Sequence, residues 1–196
     1  MARRSYLGEA EIKVIKYLAE NPKKNKEEIQ ISAPIKNYST TFKAVDNLRK
    51  KSLVQELDSY IAKGNRISLW GLSFWGVFKS FETDVDTIKT FKNYEAFYPD
   101  LKWLRVCFQI LEEEIGDKWV KNRAKLIGNL SSLGDRLAEL GVTDKGIIVR
   151  TWAGYTQGFL ESINTPPSKM RKFSKRMMGV LGAKTEADLL ELLKKS

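Results

Sequence analysis

The sequence predicts a mainly helical protein with one small β-hairpin, and three observations lead to this prediction. Apolar residues recur at intervals of three and four through most of the 196 residues. Residues 53–69 instead hold two short β-type runs around a turn sequence. The apolar content of 42% is that of an ordinary globular protein, so the chain is expected to fold. We expect two parts, residues 1–82 and an all-helical domain over residues 83–196.

The charge balance points to an anionic partner. The chain has 34 Lys and Arg against 24 Asp and Glu, which gives a net charge of +10. Residues 1–82 hold 15 basic and 9 acidic side chains, or +6, and the remaining 19 and 15 give +4. An excess of positive charge attracts polyanions. Nucleic acid is the first candidate, and an anionic membrane surface is the alternative.

The composition argues against an enzyme or a metalloprotein. There is no histidine, which removes the commonest general base and the commonest metal ligand. The single cysteine, Cys107, cannot form an internal disulfide. No phosphate-binding loop is recognisable, and no apolar run is long enough to span a membrane. We therefore expect a cytoplasmic protein without catalytic residues, cofactors or a membrane partner.

Three helices are predicted in the amino-terminal part. The first covers residues 9–20 and ends at Asn21-Pro22, because proline cannot continue a helix. The second begins at the cap Asn25 and is limited by Pro34. The third covers residues 39–51 with Ser39 as its cap, and Phe42, Val45 and Leu48 are expected on its buried face.

The other face of the third helix is small, polar and cationic. It carries Thr40, Lys43, Asn47 and Lys50, flanked by Ala44 and Lys51. A helix of this kind can enter the major groove of DNA, where Lys43 and Asn47 would reach base edges. Lys50 and Lys51 are suited to phosphates.

A β-hairpin is predicted directly after the third helix. The strands are placed at residues 53–57 and 67–69, and the turn between them at residues 58–66. The tip carries Lys63, Asn65 and Arg66, which could contact the sugar-phosphate backbone or the minor groove.

Three short patterns resemble the winged helix-turn-helix regulators of the MarR and PadR groups. Leu48-x-x-Lys51-Ser52-Leu53-Val54 resembles the end of their recognition helix and the start of their wing, although these proteins usually have Gly at the position of Ser52. Leu72-Ser73-x-x-Gly76 resembles their Leu-Thr-x-x-Gly, in which a hydroxyl caps the next helix. Ser39-Thr40 resembles the start of their recognition helix. The resemblance covers residues 6–82 and implies a winged helix-turn-helix fold.

Together these observations predict a sequence-specific regulator of transcription that binds double-stranded DNA. Helix 39–51 would lie in the major groove and the wing 58–66 on the backbone or minor groove. The alternative is a winged helix that docks onto a protein of a transcription or replication assembly. The predicted DNA-binding residues are Ser39, Thr40, Lys43, Ala44, Asn47, Lys50, Lys51, Lys63, Asn65 and Arg66.

The carboxy-terminal part is predicted to be helical, with breaks near residues 98–99, 116, 141–143 and 165–167. A heptad-like leucine series from Leu126 to Leu140 favours either a bundle core or the seam of a homodimer joined through residues 100–163. Residues 144–163 place Trp152, Tyr155 and Phe159 on one side, as core or as a small-molecule pocket. Helix 168–181 is basic and amphipathic and would contact DNA phosphates, an anionic membrane or neighbouring helices. A last helix is expected at residues 185–195.

Overall fold

The chain is mainly helical with one two-stranded antiparallel hairpin over residues 7–99, 101–142 and 145–181, which are the residues that the computed structural model describes. It divides into two units, Met1–Pro99 and Asp100–Ser196. The elements of the first unit are α1 Glu9–Glu20, α2 Lys26–Ser32, α3 Tyr38–Lys50, β1 Val54–Ala62, β2 Asn65–Leu72, α4 Phe74–Ser80, a 3-10 turn at Phe81–Thr83 and α5 Thr87–Tyr94. Those of the second are α6 Leu101–Ile115, α7 Asp117–Glu139, α8 Lys145–Ser162 and α9 Pro167–Leu181. No helix in the described ranges is long and apolar enough to cross a membrane.

The core of the first unit forms where α1, α2 and α3 meet. Val14 and Leu18 from α1, Ile29 from α2, and Val45 and Leu48 from α3 are completely buried. The predictions for α1 and for the start of α2 are confirmed. The side chain of the α2 cap accepts a hydrogen bond from the third helical N–H and is itself part of a reciprocal capping box.

The start and the rotation of α3 differ from the prediction. Asn37, not Ser39, is the cap, because its carboxamide oxygen accepts the Thr40 N–H at 2.9 Å. The buried face consists of Thr41, Ala44, Val45 and Leu48. Phe42, expected in the core, is 42% exposed. The buried face is therefore shifted towards Thr41 and Ala44 and away from Phe42, while Val45 and Leu48 stay in it as predicted.

The hairpin is longer and its turn is shorter than predicted. Residues 58–62 belong to β1 and residues 65–66 to β2, so the turn is only Lys63–Gly64. Both turn residues have positive φ, of 50° and 78°, as a tight two-residue hairpin turn requires. The pairing register shifts between Glu56 and Asp58, which leaves a bulge at Leu57.

Ser73 connects the base of the hairpin to α4, as the sequence pattern predicted. Its hydroxyl accepts the Gly76 N–H at 2.9 Å and donates to the Ser52 carbonyl at 2.6 Å. Ser52 adopts a φ of 57°, a conformation that favours glycine. Gly76 has no room for a side chain, because a Cβ atom there would lie 1.8 Å from the Leu53 carbonyl oxygen.

The first unit extends to Pro99, beyond the predicted boundary after residue 82, because α5 and the following turn bond to β2 and α1. The buried Tyr94 hydroxyl accepts the Leu72 N–H at 2.9 Å and donates to the Leu18 carbonyl at 2.7 Å. Tyr98 donates to the Leu72 carbonyl at 2.8 Å. Further along the same side of β2, Trp70 and Lys24 exchange both backbone hydrogen bonds.

In the residues that the structure describes, the second unit is helical, with breaks at the predicted positions near 116, 141 and 165. Gly116, with φ 60°, separates α6 from α7, and Gly141, with φ 68°, follows α7. One face of α6 is apolar and buried, and it consists of Leu101, Leu104, Phe108, Leu111 and Ile115.

The leucine series is buried only along α7 itself. Leu126, Leu130 and Leu137 are buried and Leu133 is half-buried, whereas Leu140, after the helix, is 78% exposed. In α8, Phe159 is buried and Tyr155 is exposed. The Trp152 side chain and the predicted helix 185–195 lie outside the described residues.

Candidate nucleic-acid interface

The outer face of α3 combines two unpaired cations with polar side chains. Ser39, Lys43, Asn47 and Lys50 are all exposed on this face. Within the described part of the chain, neither lysine contacts a carboxylate or forms a hydrogen bond. At the amino-terminal end, Asn37 also accepts hydrogen bonds from the Ser39 and Thr40 hydroxyls, at 2.9 and 2.7 Å. The predicted residues Lys43, Asn47 and Lys50 therefore lie together on the solvent-exposed face of α3.

Four of the predicted α3 residues already have other contacts. Ala44 is only 3% exposed, because it belongs to the buried face of the helix, so its side chain is not available for the DNA contact predicted for it. The Lys51 ammonium lies 2.8 Å from the carboxylate of the buried Glu11. The Ser39 and Thr40 hydroxyls both donate to the cap Asn37.

Two aromatic residues of α3 for which the sequence suggested no function, Tyr38 and Phe42, are also exposed. The ring centroids of Tyr38 and Phe42 are 5.8 Å apart, and both residues are exposed. The Lys26 ammonium of α2 lies 3.2 Å from the Phe42 ring centroid and 3.0 Å from the Asp46 carboxylate. The Lys26 side chain is only 12% exposed, so this cation fixes α2 against α3 and holds the ring.

The hairpin tip presents one unpaired cation. Lys63 and Asn65 are exposed, and Lys63 has no ion-pair partner among the described residues. Arg66 is exposed but donates to the Glu56 carboxylate, which also accepts from the Ser68 hydroxyl at 2.8 Å. The Ser68 hydrogen bond, followed by Arg66, lowers the pKa of Glu56, so Arg66 keeps an ionised partner at neutral pH. The side chains of Lys63 and Asn65 therefore have no hydrogen-bond or ion-pair partner among the described residues, whereas Arg66 is paired with Glu56.

A cleft of about 340 Å³ lies between the end of α3 and the base of the hairpin. Arg49 lines it and extends over Trp70, with its guanidinium carbon 5.8 Å from the ring centroid. Glu56 contributes a carboxylate to the same cleft. Arg49 was missed by the sequence analysis, although it directly precedes the cationic Lys50.

No group of three or more metal-ligating side chains converges in the part of the chain that the structure describes. Comparison with protein-family models, with curated proteins and with solved structures finds no match to this chain.

Proposed function

We propose that the first unit is a winged helix-turn-helix that binds double-stranded DNA and that the protein is a sequence-specific regulator of transcription. The order of elements supports this proposal, since two helices joined by residues 33–37 precede a β-hairpin. Ala33 and Ile35 are buried and anchor the connection. The proposed recognition helix is α3, and the proposed wing is the tip of the hairpin.

The observation that carries the proposal is that unpaired lysines are present on α3 and at the hairpin tip. The lysines at positions 13, 23, 24, 26, 51 and 79 all contact a carboxylate within 4.0 Å. Lys43, Lys50 and Lys63 contact none among the described residues. The lysines at positions 16, 36 and 92 also contact none there, but they lie outside α3 and the hairpin. Unpaired cations on a helix and on a hairpin tip are the arrangement that a DNA backbone neutralises.

The roles follow from side-chain chemistry. An asparagine amide can bond to N6 and N7 of adenine, and a lysine can donate to O6 and N7 of guanine. Asn47 and Lys43 are proposed for these base contacts. Lys50 and Lys63 are proposed for phosphates, which position the protein without reading sequence.

A homodimer joined through residues 100–163 is part of the proposal, since paired recognition helices grip half-sites about 34 Å apart. The exposed Leu140 and Tyr155 offer apolar surface within this range. Sedimentation equilibrium measures the mass directly, and a monomer at DNA-binding concentrations would contradict this part of the proposal.

The test is fluorescence anisotropy of a labelled mixed-sequence DNA duplex, titrated with protein at several salt concentrations. Replacing Lys50 and Lys63, the two proposed phosphate contacts, with Gln should flatten the dependence of log K on log salt by about 2, which is about 0.9 for each lost phosphate contact. The matched control replaces Lys16 and Lys92, exposed lysines of α1 and α5 that also lack a carboxylate partner in the described ranges. It removes the same charge but should leave the slope nearly unchanged.

Base reading is tested on a duplex selected for tight binding by the parent protein. Replacing Asn47 with Ala should weaken binding to that duplex by about 1 to 3 kcal/mol and leave binding to mixed sequence unchanged.

The second candidate function is docking onto a protein, which the exposed pair Tyr38 and Phe42 favours. It predicts association that depends little on salt. An absence of DNA binding at low salt, despite the net charge of +10, would overturn the proposed function and leave this candidate.

A further inference from the structure

The second unit presents a strongly cationic helix surface. Helix α9 carries five basic side chains and no acidic one. Arg171, Lys172 and Lys175 form its basic face; all three are exposed, and none has a carboxylate partner in the described part of the chain. The α-helical rise of about 1.5 Å per residue places Arg171 and Lys175 about 6 Å apart along the axis.

The rotation of α9 about its axis is fixed by contacts with α6. The Arg176 guanidinium spans two carboxylates of α6, at 2.6 Å from Glu113 and 2.9 Å from Glu114. Met170 and Phe173, on the side opposite the basic face, are half-buried. The two ion pairs of Arg176 hold α9 against α6. The basic face is directed to solvent as a consequence.

We propose that the basic face of α9 is a second contact surface for the phosphate backbone of double-stranded DNA. Three unpaired cations on one helix face complement a polyanion with closely spaced charges. An anionic membrane would attract the same cations, but a basic amphipathic helix binds a membrane by burying its apolar side. In α9 the apolar side, with Met170 and Phe173, is already half-buried in the protein. The ion pairs of Arg176 with Glu113 and Glu114 hold the helix against α6.

The test measures binding of the full chain to a labelled mixed-sequence duplex across a salt series. The α9 variant carries Arg171→Gln, Lys172→Gln and Lys175→Gln. The control carries Lys16→Gln, Lys92→Gln and Lys121→Gln, at exposed positions without a carboxylate partner in the described ranges, and has the same net charge. The α9 variant should flatten the slope of log K against log salt by about 2 to 3, at about 0.9 for each lost phosphate contact. The control should leave it nearly unchanged.

Two other outcomes would overturn the inference that the basic face of α9 contacts DNA. Equal slopes for the α9 variant and the control mean that the basic face does not contact DNA, whatever the α3 and hairpin variants show. Binding of the parent to phosphatidylcholine vesicles containing phosphatidylserine, lost in the α9 variant while the DNA slope stays the same, would assign the surface to membranes instead. The α3 and hairpin variants test the proposed function separately.

Discussion

Replacing Gly76 with Ala tests the joint between α3, the hairpin and α4. A Cβ atom at this position would lie 1.8 Å from the Leu53 carbonyl oxygen and 2.9 Å from its carbon. Real Cβ contacts shorter than 3.0 Å essentially do not occur, so the backbone must separate by more than 1 Å. The same carbonyl accepts the Ser73 N–H at 3.0 Å, and this hydrogen bond would be lost or stretched.

The expected cost follows from three contributions. Loss of the hydrogen bond costs about 1 kcal/mol. Forced overpacking costs about 1 to 3 kcal/mol. The better helix propensity of alanine offsets at most about 1 kcal/mol. The net destabilisation of the first unit is therefore about 2 kcal/mol, which corresponds to about a 30-fold larger unfolded population.

Native-state hydrogen exchange resolved by peptide mass spectrometry measures each unit by itself. The slowest amides of α1 and α3 should exchange about 30-fold faster in Gly76→Ala. The control is Gly128→Ala in the middle of α7, where a Cβ meets nothing within 4 Å. That change should slow exchange in α7, because it stabilises the helix by about 0.5 to 1 kcal/mol. Unchanged exchange of α1 and α3 in Gly76→Ala would refute the steric argument.

Three further predictions concern single side chains. Ser52→Gly should stabilise the first unit by about 0.5 to 1 kcal/mol, seen as slower exchange of α3, because φ is 57° there; faster exchange would contradict this. Tyr94→Phe should lower the free energy of unfolding by about 1 to 3 kcal/mol in urea titrations, since Leu72 N–H and the Leu18 carbonyl lose their partner; an unchanged midpoint would rule this out. Burial raises the pKa of Cys107 to about 12 from an ordinary value of 9.0, so between these values the unfolded chain releases a proton that the native chain retains. Stability should therefore fall as pH rises through this range, relative to Cys107→Ser, and a rise relative to that variant would refute the reasoning.

Features fixed by local chemistry could be predicted from the sequence. The capping box at Asn25 and the stop at Asn21 depend only on neighbouring residues, so α1 and α2 begin and end as expected. The positions of Gly116 and Gly141 marked two helix ends for the same reason.

The rotation of α3 depends on contacts that sequence periodicity does not contain. An aromatic residue at helical spacing is normally buried, which made Phe42 a reasonable core candidate. In the structure the cap moves back to Asn37, and the ammonium of Lys26, 16 residues earlier in the chain, holds the ring at the surface. Both effects require knowledge of how α2 packs on α3.

The candidate site was partly predictable for a similar reason. Exposure of Lys43, Asn47 and Lys50 follows from the helix period. The ion pair between Lys51 and Glu11 joins residues that are 40 positions apart in the sequence. The ion pair between Arg66 and Glu56 depends on how the two strands are aligned in the hairpin. Neither pair could be read from local sequence. DNA binding by these residues remains a prediction.

The hydrogen bonds along the outer side of β2 have a consequence for solubility. A two-stranded sheet has two open edges, and an unpaired edge can recruit a strand from another molecule. At the base of β2 the backbone of Trp70 is paired with Lys24, and both backbone polar groups of Leu72 are occupied by the tyrosines at positions 94 and 98. Side-chain hydroxyls thus replace a third strand, and this stretch of apolar strand has no free hydrogen-bonding groups from which intermolecular aggregation could begin.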